Sequence, residues 1–74
     1  MENVINVLKV RFPDNKKAQL VFVTTTNDWY YPKLHDINAI RGFIQWEDSR
    51  GVITTLNEAN VVSATLYKDG NLNV

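Results

Sequence analysis

The stretch from Arg41 to Tyr67, RGFIQWEDSRGVITTLNEANVVSATLY, decides how the chain is read. Ile44 and Trp46 alternate with Phe43, Gln45 and Glu47, the period-two pattern of a half-buried strand. Ser49-Arg50-Gly51 supplies a turn whose glycine accepts positive φ, and Val52 to Leu56 is the return strand. Asn57 to Asn60 is polar and fits a single 3₁₀ turn capped by Asn57. Val61 to Tyr67 follows as a strand, with Val62, Ala64 and Leu66 expected inward and Ser63, Thr65 and Tyr67 outward.

Working towards the N-terminus, Phe43 is preceded by Asp36-Ile37 and Ile40 at helical spacing, which predicts one or two helical turns near residues 36–41. Asn27-Asp28 reads as a two-residue hairpin turn, and Trp29-Tyr30-Tyr31 as a short strand ended by Pro32. Ala18 to Thr26 has a continuous apolar centre at Leu20 to Val23, as a strand covered on both faces does. Asn3 to Phe12 is rich in β-branched residues and reads as a strand with Val4, Leu8, Val10 and Phe12 on its inner face. It is expected to reverse at Pro13-Asp14-Asn15 and pair antiparallel with the Ala18 strand. At the far end, Asp69-Gly70 signals a hairpin into a terminal strand over Asn71 to Val74.

Five to seven short strands in 74 residues predict a single, mainly β domain spanning residues 1–74: a small antiparallel meander bent towards a barrel, since closure removes exposed edges. The succession of strand, turn, strand, single helical turn and strand over Phe43 to Tyr67 resembles the end of SH3-like and Sm-like barrels. The alternative is an α+β fold, an antiparallel sheet packed on one short helix. A chain of this length buries only about 60% of its unfolded surface, so the core is thin, and self-association is one remedy. Pairing through an open Val61 to Tyr67 edge or the terminal strand is expected to give a homodimer or larger assembly.

Composition narrows the function. Without cysteine there is no Cys-based zinc site, thiol nucleophile or disulfide. No signal peptide, N-glycosylation acceptor or run approaching the ~18 apolar residues of a membrane span is present, and a cytoplasmic location is expected. The abundance of Asn, Thr, Val and Ile resembles the product of an AT-rich gene, as in a low-GC bacterium or its phage. Eight basic and eight acidic side chains cancel, which argues against a protein devoted to duplex DNA. The single histidine, His35, has only the adjacent Asp36 as a nearby carboxylate, and spacing alone does not orient the ring for catalysis. Glu47 and Asp48 point to opposite faces and form no cation cage. No catalytic residue, metal site or cofactor is expected, and the chain reads as non-enzymatic.

The suggestive segment is Trp29-Tyr30-Tyr31 with Lys33 and His35. Aromatic rings beside cations on a β platform serve as protein-interface anchors or as stacking surfaces for single-stranded nucleic acid. Trp29 and Tyr31 share a face; whether it is core or surface is open. Trp46 shares the Ile44 face and is expected in the core, whereas Tyr30 and Tyr67 lie opposite apolar sets and are expected outside. Lys9, Arg11, Lys16, Lys17, Arg41 and Arg50 would form a basic rim if the first hairpin lay beside the Ser49 to Gly51 turn. The expected function is an interaction module that offers Trp29, Tyr30, Tyr31, Lys33, His35 and Tyr67 to a protein partner or a second copy, in the manner of bacterial or phage accessory and inhibitor proteins. The alternative is single-stranded DNA or RNA binding.

Overall fold

The computed structural model describes residues 1–70. Helix α1 (Glu2–Arg11) is followed by β1 (Gln19–Thr24), β2 (Trp29–Tyr30), a 3₁₀ turn (Leu34–Asp36), β3 (Asn38–Ile40), β4 (Phe43–Glu47), β5 (Ile53–Asn57), a second 3₁₀ turn (Glu58–Asn60) and β6 (Val61–Tyr67). The strands form two antiparallel sheets, ordered β2-β1-β6 and β3-β4-β5. The fold is mainly β, but no ladder joins the two sheets among the described residues and they are not closed into a barrel. The α+β alternative fits, with its helix at the N-terminus and not over residues 36–41. The terminal strand expected at Asn71 to Val74 lies outside the described residues.

The N-terminal segment is the largest departure from the sequence reading. Taken with a period of 3.6, Met1, Ile5, Leu8 and Phe12 fall on one stripe, and these are the residues that meet the core. Ile5 is fully buried, whereas Val4 and Val10, assigned to the inner face of a strand, are 55% and 78% exposed. A strand here would lack its expected partner, because β1 is already flanked by β2 and β6. Glu2 in the first turn and Lys9 and Arg11 in the last complement the helix dipole. The helix stops at Phe12, which precedes Pro13 and so disfavours helical ψ. Instead of a hairpin, Asn15 makes the helix–strand connection: its Oδ1 accepts the Lys17 and Ala18 amides at 3.0 and 3.1 Å.

The second correction lies at residues 36–41. Helical turning ends at Asp36, and Asn38–Ile40 pairs with β4, Ile40 opposite Phe43. Only Arg41 and Gly42 separate those partners, both at positive φ (50° and 86°), which is the two-residue loop that matches strand twist. The remaining hairpins each use three residues. Thr25–Asn27 joins β1 to β2 and ends in Asn27 at φ 61°, so the turn is one residue longer than the Asn27-Asp28 reading. Ser49–Gly51 joins β4 to β5 and ends in Gly51 at φ 82°. Asn57 caps the second 3₁₀ turn as expected, its Oδ1 accepting the Ala59 amide at 3.0 Å.

One contiguous core lies between the sheets and the helix, built on Ile5, Ala18, Leu20, Phe22, Leu34, Ile37, Ile44 and Trp46. Trp46, 8% exposed, spans the gap. Its ring stacks on Phe22 of the other sheet at 6.0 Å between centroids and meets Tyr30 edge-on at 5.7 Å. On β6 only Leu66 of the expected inward set is half-buried; Val62 and Ala64 are exposed. A register shift between Val23 and Thr24 accounts for Val62, since Thr24 pairs with Val61 and Val23 with Ser63, leaving Val62 as the bulged residue.

Candidate functional site

Alternation along β1 turns Leu20, Phe22 and Thr24 into the core and leaves Gln19, Val21 and Val23 on the outer face of the sheet. The pairings then build that face row by row. Val23 lies between Trp29 and Ser63, and Gln19 lies between Lys33, through an isolated bridge, and Tyr67. Continuing the same register sets Val21 between Tyr31 and Thr65. Trp29, Tyr31, Lys33 and Tyr67, four of the six residues singled out from the sequence, therefore share one nine-residue face. Val21 is buried at its centre, outside the main core, so the face has an apolar floor.

Trp29 dominates this surface at 54% exposed, and Tyr67 is 40% exposed on the far strand. The Trp29 indole N–H donates to Asn27 Oδ1 at 3.2 Å, which holds the ring against the turn. That turn is itself tied down. Thr26 Oγ1 donates to Asp28 Oδ2 at 2.6 Å, the Asp28 amide donates to Thr24 Oγ1 at 3.1 Å, and the Thr24 and Thr26 hydroxyls are 3.1 Å apart. The left-handed Asn27, which glycine-like positions favour, thus serves both the loop and the orientation of Trp29.

Two residues of the expected set stand elsewhere. Tyr30, expected outside, alternates inward and is half-buried against Trp46, because the face opposite Trp29 and Tyr31 is the core face. His35 Nε2–H donates at 2.7 Å to the carbonyl of Phe12, the C-cap of α1, which also accepts the Asn15 amide at 3.3 Å. The basic residues are dispersed. Lys9 and Arg11 lie on α1, with the Arg11 guanidinium 5.6 Å above the Phe12 ring; Lys16 and Lys17 lie in the loop after it. Arg41 and Arg50 occupy turns at opposite ends of β4, and the first hairpin on which the rim depended is replaced by the helix.

Arg50 is engaged by Asp48 through Nη2 at 2.8 Å and Nε at 3.3 Å, and Asp48 Oδ1 also accepts the Arg50 and Val52 amides. The guanidinium first, and then the Val52 amide, hold the Asp48 carboxyl below its ordinary pKa of 3.8. Asp48, Glu47, Asp36, Lys33 and Gln19 border an open depression beside the aromatic face. Among the described residues no three His, Asp or Glu side chains converge as a metal site would require, and no helix is long and apolar enough to cross a membrane.

The sequence reading missed a second exposed surface. Phe43 sits between Ile40 and Asn57 on the outer face of the other sheet, and Ile53 lies opposite Glu47. Ile40, Phe43 and Ile53 are each more than half exposed. The alternation that sets Phe43 opposite Ile44 and Trp46 carries the signal, but the helical spacing of Ile37 and Ile40 masks the contribution of Ile40. Comparisons with protein-family models, with curated proteins and with solved structures find no match to this chain.

Proposed function

We propose that the chain is a non-enzymatic interaction module that docks a protein partner on the outer face of the β2-β1-β6 sheet, with Trp29 as the anchor and Tyr31, Lys33 and Tyr67 around it. The single observation that carries this reading is the exposed but fixed indole of Trp29, held by Asn27 above a rigid sheet. A large ring whose rotamer is already restrained loses little freedom on docking, and Trp and Tyr are enriched among interface hot spots. Charge balance agrees, since eight basic and eight acidic groups leave no field that would commit the chain to polyanions. The succession of turns and strands over Phe43 to Tyr67 supports an SH3-like or Sm-like arrangement as the scaffold, and the Asn-, Thr-, Val- and Ile-rich composition supports an accessory role in a bacterial or phage cytoplasm.

Lys33, two residues from Tyr31 and across Gln19 from Tyr67 on the same face, favours a second reading, in which bases of single-stranded DNA or RNA stack on the rings. Two measurements separate them. Affinity capture from nuclease-treated host lysate is expected to retain a protein with the parent chain and to lose it with Trp29→Ala, while the melting transition of the variant stays cooperative. Retention of the same protein by Trp29→Ala refutes the contact reading. Anisotropy titration of labelled single-stranded oligonucleotides at two salt concentrations tests the other; salt-dependent binding at micromolar protein supports it and its absence removes it.

A further inference from the structure

We propose that β6 is the seam of a symmetric homodimer, in which two copies pair their β6 strands antiparallel about Ala64 to make one continuous six-stranded sheet. The inference rests on the edge of the sheet and stands apart from the contact reading of its face.

The hydrogen-bonding direction of each β6 residue follows from the ladder. Leu20 and Thr24 send their amides to Pro32 and Asp28, on the β2 side, and the Thr25 amide goes to Asn60 on the β6 side. Antiparallel ladders alternate, so Gln19, Val21 and Val23 face β6, and their partners Tyr67, Thr65 and Ser63 face β1. Ala64 and Leu66 therefore direct their amides and carbonyls away from β1, to an edge that meets no other strand among the described residues. Natural edges are usually blunted by charge or proline. Val61–Tyr67, VVSATLY, has neither, and its single bulge sits at the Val62 end, leaving Ser63 to Tyr67 regular.

Burial points the same way. Ala64 pairs with the fully buried Phe22 and lies on the core side of the sheet, yet it is exposed. A core-side residue left open at a sheet rim is covered when the sheet continues. Among the described residues none covers this rim: after β6 the Lys68 carbonyl accepts from Asn15 Nδ2 at 2.8 Å, and Gly70 packs on the Lys17 carbonyl, beside the start of β1.

A second copy is the occupant that the strand itself fits. About Ala64, Ser63 faces Thr65 of the other copy, Val62 faces Leu66, and Val61 faces Tyr67. Hydroxyl pairs and aromatic–β-branched pairs are the favourable cross-strand combinations, and no charge opposes its own image. The zero net charge of the chain adds no longer-range repulsion. Growth stops at two, because the opposite edge of the extended sheet is β2, two residues long and followed by Pro32. One strand pair is smaller than the ~1,600 Å² of a standard interface, so the dimer is a weak, concentration-dependent one.

Sedimentation equilibrium of the full chain from micromolar to millimolar concentration is expected to show the average mass rising from 8.5 kDa towards twice that value. Ala64→Lys places two ammonium groups at the dyad and is expected to hold the single-chain mass over the same range, whereas Trp29→Ala dimerises like the parent. Should Ala64→Lys not melt cooperatively, the double variant Ser63→Lys, Thr65→Lys on the exposed outer face opposes ammonium to ammonium across the seam and makes the same comparison. Hydrogen exchange supplies an independent reading: the Ala64 and Leu66 amides gain protection with concentration, while those of Ser63 and Thr65 are protected throughout. A constant single-chain mass up to millimolar protein, a Lys variant that dimerises as well as the parent, or protection of Ala64 that ignores concentration each overturns the proposal. Loss of dimer in Trp29→Ala with none in the Lys variants would instead assign self-association to the aromatic face.

Discussion

Replacing Trp46 by alanine removes the ring that meets both Phe22 and Tyr30 across the gap between the sheets, and it should cost most of the stability this domain has. Trp46 is 8% exposed and makes two aromatic contacts, stacked on Phe22 and edge-on to Tyr30. Each such pair is worth about 0.5–1.5 kcal/mol beyond area burial, so the two together supply roughly 1–3 kcal/mol. Truncation of a buried Trp to Ala, cavity included, costs about 3–5 kcal/mol. A single core in a chain this short rarely supplies more than about 3–5 kcal/mol, so Trp46→Ala is expected to be largely unfolded in water at 25 °C. Trp46→Phe, which keeps a ring against Phe22, should retain a cooperative transition at a lower midpoint. The control is Trp29→Ala, which removes a 54% exposed ring and one exposed 3.2 Å hydrogen bond and should cost no more than about 1 kcal/mol. Urea titration followed by far-ultraviolet circular dichroism measures all three. If Trp46→Ala unfolds within about 1 kcal/mol of the parent, the sheets are not held together through this ring and the account of the core is wrong.

Gly70→Ala should destabilise by about 1–3 kcal/mol, because the new Cβ would stand on the Lys17 carbonyl at a position with φ 59°. Gly51→Ala, at φ 82° but in open space, should cost only about 1 kcal/mol, and equal thermal midpoints for the two variants would contradict the packing of Gly70. Asp48 predicts a pH dependence. Its carboxyl is depressed in the fold, so its contribution is present above the ordinary value near 3.8 and is lost as pH falls through the lower folded value. Urea midpoints taken below about pH 4 should therefore fall less steeply in Asp48→Asn than in the parent, and parallel acid limbs would show that the Arg50 contact contributes nothing.

The strands after Phe43 are legible because each step is local: alternation around Ile44 and Trp46, a positive-φ glycine at residue 51, and an Asn57 cap. The N-terminal helix is not legible, since Asn3 to Phe12 satisfies two periods at once, with Leu8 and Phe12 common to both. What decides between them is remote in sequence, namely that β6 occupies the edge of β1 that an N-terminal strand would need. The β3 hairpin was hidden for a different reason: Arg41, not Asn or Asp, precedes the glycine in a loop that demands two positive φ values. For the candidate site, spacing by two sets Trp29, Tyr31 and Lys33 on one face. Tyr67 joins them only through the β1–β6 register, and the inward turn of Tyr30 is fixed by its pairing with the core-facing Phe22 on β1.

The two indoles of this chain sit in opposite surroundings, one wedged between hydrocarbon layers and the other over water beside a turn. An unlabelled sample consequently carries two optical channels. Blue-shifted emission from Trp46 tracks whether the layers remain joined, and solvent-quenchable emission from Trp29 tracks whether anything has settled on the outside, so folding and docking can be followed apart in one cuvette.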